Sequence, residues 1–178
     1  PRYWGYYYDP PTASNYTVLG ADVFPDAQMT LAEGRFYRDD ESRRCVIGLG
    51  VAAARFAGTD DIIPMKRADG GLFAPRVTGV FSADSALLTN DLIVLATDDV
   101  RGLFDIPDGH CTDLVVDVGN DRETDTIALK IQEALPDARP LSKERILATY
   151  DAVFDWRAGV SGMMVGLCTL CFLILAWD

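Results

Sequence analysis

Gly48 to Ala53 reads GLGVAA, a match to the dinucleotide fingerprint GxGxxA that follows an apolar run. Dinucleotide chemistry would need a helix of ten or so residues after that turn, a returning parallel strand, and an acid about twenty residues on to take the ribose. Gly58 stops the helix early and Pro64 interrupts the next run, so a tight strand-to-helix turn explains the glycines better. Asp121, Glu123 and Asp125 have the opening spacing of a calcium loop, yet Thr126 stands where its glycine belongs and Gln132 where its bidentate glutamate belongs. Acids at a helix N-terminus account for them, by their favourable interaction with the helix dipole. The pairs Asp39–Asp40, Asp60–Asp61 and Asp98–Asp99 face solvent at turns and helix starts, a surface calcium site being the alternative. His110 is the single histidine, it lies in the turn PDGH, and the sequence has no GxSxG elbow to pair with it.

Cysteine adds little chemistry. Cys168 and Cys171 form CTLC, but inside an uncharged apolar run where a thiolate would be neither stable nor accessible. Cys45 and Cys111 either pair in an oxidising compartment or remain two buried free thiols at strand ends. Their spacing fits no zinc site. No catalytic residue, cofactor or metal ligand set is therefore expected, and the chain is read as a non-enzyme.

The 178 residues suffice for one sizeable domain or two small ones, with 49% hydrophobic and 24% charged residues, an ordinary globular balance. A net charge of −11 repels phosphate backbones and argues against nucleic acid as a partner. Apolar residues concentrate at one place. From Val160 to Trp177 the chain carries no charge, VSGMMVGLCTLCFLILAW. As a helix those residues rise about 27 Å, close to the thickness of a bilayer core. No other part of so small a chain could bury such a helix on all faces. The run is accordingly read as the start of a transmembrane helix, residues 160–178, cut short by the end of the visible chain. Trp156 and Arg157 just before it could anchor it at the interface.

The elements ahead of it follow from periodicity and turn residues. RYWGYYYD and YTVLG are strand candidates separated by the turn-rich DPPTASN, and AEGRFYRDDESRR is a polar connection. CVIGLG reads as a buried strand, VAAARFAG as a short helix, and DIIPMK, FAPRVTGVFS and DLIVLAT as strands, with RADGG a hairpin turn between the first two. DDVRGLF is a short acid-started helix and TDLVVDV an alternating strand. Asn120 and Glu123 have capping-box spacing before a helix with Ile127, Ile131, Ala134 and Leu135 on one face, ended by Pro136. A last helix begins at Ser142, with Ile146, Leu147, Tyr150, Val153 and Phe154 at helical spacing, and can run on into the apolar segment. Tyr3, Trp4, Tyr6, Tyr7 and Tyr8 are the strongest candidates for partner contact, because Tyr and Trp bury large area at low entropic cost. A two-sided core strand is the equal alternative.

Taken in order, WGYYYD, NYTV, AEGRF, VIGLGVA, TGVFSADSALLTNDLIVL, TDLVVDV, ALPDARPLSKE and TYDAVFDWRAGV resemble the FtsX-like permeases of ABC transporters, in the MacB-like periplasmic core domain between the first two transmembrane helices. The resemblance implies an α+β fold over residues 1–159. In it a porter-like α/β part is built from both chain ends, a β-rich sabre-like part of about 37–110 is inserted, and a long stalk helix follows. It implies a location in the bacterial inner membrane with this domain on the periplasmic side. The implied partners are a separate cytoplasmic ATPase that hydrolyses the ATP, a second permease copy (identical or not), and an unidentified extracytoplasmic substrate or protein. It also implies that Tyr150, Phe154, Trp156 and Arg157 belong to the stalk and its membrane anchor. A single-pass anchored binding or sensor domain with no ATPase is the other reading.

Overall fold

A computed structural model describes residues 1–22, 29–38, 40–83, 86–146, 148, 164 and 168, with the backbone alone at 86–88. The chain divides into two compact units, 1–115 and 116–178.

The first unit is organised by two short segments that are apolar on both faces, RCVIG and LIVL. Strands of that kind must lie inside a sheet with both faces covered. They become β4 (Arg44–Gly48) and β8 (Leu92–Leu95), paired antiparallel with Val46 opposite Val94. Around them stand β1 (Trp4–Asp9), β2 (Ser14–Gly20), β3 (Met29–Gly34) and β7 (Arg76–Ala83), in the order β1-β2-β8-β4-β7-β3. The β2–β8 and β4–β7 pairings are parallel and the others antiparallel, so the fold is α+β with a mixed sheet. A small hairpin of β5 (Met65–Lys66) and β6 (Leu72–Phe73) closes over the RADGG turn, where Gly70 takes the positive φ such a turn requires.

Helices α1 (Leu49–Arg55) and α3 (Thr97–Phe104) bury Val51, Val100 and Leu103 in the core on one sheet face, with Tyr7, Tyr16, Val18, Ile47 and Ile93. A second cluster on the opposite face gathers Tyr37, Val46, Phe81, Leu92 and Val94. Between β7 and β8 runs α2 (Ala86–Asp91). The Asp22 carboxylate accepts the Thr97 N–H at 2.9 Å and so caps α3 from a distant loop. Asp98 and Asp99 sit in the first turn of α3 as expected, and Asp99 also accepts the Arg43 N–H at 2.7 Å. Burial outweighs that bond and raises the Asp99 carboxyl above its ordinary range.

Several expectations need correction. Within 37–110, β4, β7 and β8 share one six-stranded sheet with β1, β2 and β3, because β8 and β7 take β2 and β3 as neighbours that cover their edges. The polar connection AEGRFYRDDESRR contains the end of β3 and a buried Tyr37. DIIPMK is strand only at its last two residues. FAPRVTGVFS splits into β6 and β7 around Ala74–Pro75. Helix α1 ends at Arg55, with Phe56 as a left-handed cap at φ 51°, rather than at Gly58. TDLVVDV is not a strand: it makes a single bridge, Asp113 to Arg2, and leaves Leu114, Val115 and Val116 exposed. Alternation describes a half-buried strand only where a partner and a core exist to receive it.

In the second unit a short 3-10 turn, Asp121–Glu123, leads into α4 (Thr124–Ala134). Asn120 Oδ1 accepts the Arg122 N–H at 3.3 Å, and its amide donates to Glu123 at 3.0 Å, so the expected pair does meet. None of α4 is fully buried. Residues 143–146 are helical, and Ser142 Oγ accepts the Arg145 N–H at 3.3 Å as their cap. Among the described residues no helix is long and apolar enough to cross a membrane. The stretch 160–178 lies outside the described residues apart from Met164 and Cys168, both helical and exposed.

One interaction ties β1 to α1. Asp9, 1% exposed, forms an ion pair with Arg55, 8% exposed, and also accepts from Thr12 Oγ1 at 2.7 Å. Arg55 donates to the Pro64 carbonyl at 3.2 Å and lies over the Tyr16 ring at 5.9 Å. Asp9→Ala leaves a buried guanidinium uncompensated and is expected to cost roughly 3–5 kcal/mol in urea unfolding of the full chain. Gly50 gives a second test. A Cβ there would lie 2.4 Å from Asn90 Cα, whereas at Gly102 it would meet nothing within 4 Å. Gly50→Ala should lower stability by about 1–3 kcal/mol. Gly102→Ala, inside α3, should raise it by about 0.5–1 kcal/mol.

Candidate functional site at the outer edge of β1

The aromatic N-terminus becomes one strand whose two faces have different fates. β1 pairs with β2 so that Trp4 faces Leu19 and Tyr7 faces Tyr16. Tyr3, Gly5, Tyr7 and Asp9 point toward the helical side. The Arg101 guanidinium lies over the half-buried Tyr3 ring at 5.6 Å. Gly5 leaves room for the tip of the Phe104 ring, since a Cβ there would come within 2.8 Å of its Cζ. Tyr7 is buried in the core, and its hydroxyl accepts the Lys66 N–H at 3.0 Å. Trp4, Tyr6 and Tyr8 stand on the opposite face. Trp4 and Tyr6 meet edge to face, ring centres 5.5 Å apart. Tyr6 is 70% and Tyr8 57% exposed. The aromatic run thus divides between alternate residues: Tyr7 is core, and Tyr6 and Tyr8 are exposed.

Hydrogen-bond parity decides what the strand's outer side offers. Gly20 donates to the Tyr3 carbonyl at 2.7 Å, which makes the odd residues of β1 the ones that exchange bonds with β2. The N–H and C=O of Trp4, Tyr6 and Tyr8 therefore point away from the sheet. Those of Trp4 are taken by Thr112 Oγ1, at 3.1 and 2.9 Å, and the Trp4 indole donates to Asp113 at 3.0 Å. Arg2 likewise bonds Asp113 and Thr112 through its backbone. Beyond Trp4 that cover ends.

Alongside Tyr6 and Tyr8 runs a largely apolar groove of about 350 Å³, lined by Tyr7, Lys66, Arg67, Ala68, Leu103 and Phe104 among others. Arg67 lies over Phe73 at 5.4 Å. Among the described residues neither Lys66 nor Arg67 has a carboxylate within ion-pair distance. Nothing local announces these groove residues in the sequence; they come from hairpin β5–β6 and from α3, sixty to a hundred positions from β1.

The other candidates disperse. A polar groove of about 310 Å³ collects Arg35, Arg44 and Arg76. Arg35 is already forked onto Glu41, at 2.7 and 2.6 Å, which holds that carboxyl down at about 2, and Arg76 donates to the Asp60 carbonyl. Cys45 is buried and free, and burial pushes its thiol up to about 12, so it supplies no thiolate; Cys111 is free but exposed rather than buried. His110 is exposed in its turn, with Nδ1 3.2 Å from the Asp108 carbonyl. Among the described residues no group of three or more His, Cys, Asp or Glu could hold a metal. Tyr150, Phe154, Trp156 and Arg157 lie outside the described residues.

The two kinds of tyrosine on β1 should separate in unfolding experiments. Tyr7→Phe strands the Lys66 N–H and is expected to cost about 1 kcal/mol. Tyr8→Thr, on the exposed side, should stay within about 0.5 kcal/mol of the wild type. Comparison with known proteins attaches no family to this edge: no protein-family model matches the chain, and no curated protein matches it.

Proposed function

We propose that this chain is a non-catalytic extracytoplasmic domain of an FtsX-like ABC transporter permease, which passes the work of a separate cytoplasmic ATPase to a partner outside the membrane. The observation that carries this reading is the uncharged run Val160–Trp177, placed after a helix start at Ser142. A helix continuing from one to the other would be a stiff stalk, able to transmit a displacement that a flexible linker would absorb. The exposure of Met164 and Cys168, both helical, supports the same reading. The open β1 edge, for its part, favours a second reading, a single-pass anchored binding domain that works without an ATPase.

A flexible Gly/Ser insert at Gly159 in the full-length protein separates coupling from folding. Partner-stimulated ATPase activity is expected to fall to the unstimulated level, while the unfolding midpoint of the domain stays unchanged. Stimulation that survives the insert would remove the mechanical reading, and full-length protein that copurifies with no ATPase would favour the single-pass one.

A further inference from the structure

We infer that the open half of the β1 edge is a strand-addition site for an extended, acidic peptide segment, which docks its backbone on Tyr6 and Tyr8 and sinks one side chain into the groove beside them. This goes beyond the proposed function and does not depend on the membrane anchor.

The backbone part of the site is fixed by register. Tyr6 and Tyr8 each turn an N–H and a C=O outward, and among the described residues no strand, loop or side chain takes them. Residues Thr112 and Asp113 occupy the same edge as far as Trp4 and then leave it, so the vacancy is short and begins at a defined place. An added strand would meet four backbone groups in ladder spacing.

The two edges of the sheet are treated differently. β3, at the far side, breaks its pairing with β7 by a register shift between Leu31 and Glu33 and presents Glu33 to solvent. A bulge and a charge are the usual protection against further pairing. β1 has neither over Tyr6–Tyr8; its register with β2 is unbroken and its exposed side chains are aromatic. Aromatic rings on an edge strand add cross-strand contacts to whatever pairs there.

Side-chain chemistry then selects the occupant. A residue of the added strand lying opposite Tyr7 points to the same face as Tyr7, into the groove walled by Leu103, Phe104 and Ala68. That wall suits an apolar side chain. Lys66 and Arg67 border it with no carboxylate in ion-pair distance among the described residues, Arg67 acting only at longer range on Asp99, so acids next to the apolar residue are favoured over bases.

The test is selection of a displayed library of short random peptides on the full chain in detergent, followed by amide hydrogen exchange with a synthetic copy of an enriched peptide. Enriched sequences should alternate apolar residues and carry Asp or Glu, and the amides of Tyr6 and Tyr8 should slow on binding. Tyr6→Pro removes one outward donor while leaving the β2 side of the strand intact, and should weaken binding about tenfold. Should that variant not fold, Lys66→Glu with Arg67→Glu serves instead, and must reverse the preference toward peptides in which Lys replaces the acids. Failure to enrich any peptide, unchanged exchange at Tyr6 and Tyr8 in the bound state, or indifference to these variants overturns the inference. Slowing of the same two amides without peptide, growing with protein concentration, also overturns it by giving the edge to a second copy of the chain.

Discussion

The buried pair of Asp9 and Arg55 sets what the first strand can do. Asp9 is the last residue of β1 and Arg55 the last of α1, and both lie out of water. A carboxylate brought into that environment is tolerable only with its guanidinium and with the Thr12 hydroxyl in place. Because side chains alternate along a strand, holding Asp9 inward also holds Tyr7, Gly5 and Tyr3 inward. A slip of one residue would put Tyr8 and Tyr6 in the core and push the ion pair into solvent. The presentation of Tyr6 and Tyr8 is thus a consequence of where a charge was buried, three and one residues away.

The same constraint accounts for Gly5 and Phe104. With the odd residues facing the helices, α3 must come close to β1 at its C-terminal end, and the ring of Phe104 needs a position without a Cβ. Gly5 is that position. Its cost is a less rigid strand, offset by β2 on one side and by Thr112 and Asp113 on the other. Among the described residues support of this kind stops at Trp4, so the part of the edge left open is also the part nearest the ion pair, where the strand is best fixed from within.

How much of this the sequence carried depended on whether the signal was local. The apolar runs of β4 and β8, the RADGG turn, the acids opening α3 and the Asn120–Glu123 pair are all self-contained, and each corresponds to an element or contact. Residues 86–91 carry no local signal, because six residues are too few for a helical period to show. The end of β3 resembles a loop in sequence, because an edge strand leaves Ala32, Glu33 and Gly34 exposed. Phe56 ending α1 in a left-handed conformation, 95% exposed, breaks the rule that glycine takes such positions, and no pattern would have flagged it. At the β1 edge the aromatic residues were legible and their division into core and surface was not, since that depends on which side of the strand β2, Thr112 and α3 occupy.

A net charge of −11 would be expected to keep any acidic ligand away, and the cationic groove has to be weighed against it. Fields from distant exposed carboxylates fade over a Debye length of about 8 Å at physiological salt. Lys66 and Arg67 line the same groove as the edge residues, inside that range of a docked chain, and the groove's apolar walls screen them less than open water would. The long-range field therefore slows the approach of an acidic segment, while the local one decides whether it stays. A nucleic acid fares worse on both counts: its charge is spread over many phosphates that would each meet the acidic surface, and it lacks an extended amide backbone to pair with Tyr6 and Tyr8. The edge discriminates by backbone type first and by charge second, and it is on the backbone that an aromatic strand with a free side has the most to offer.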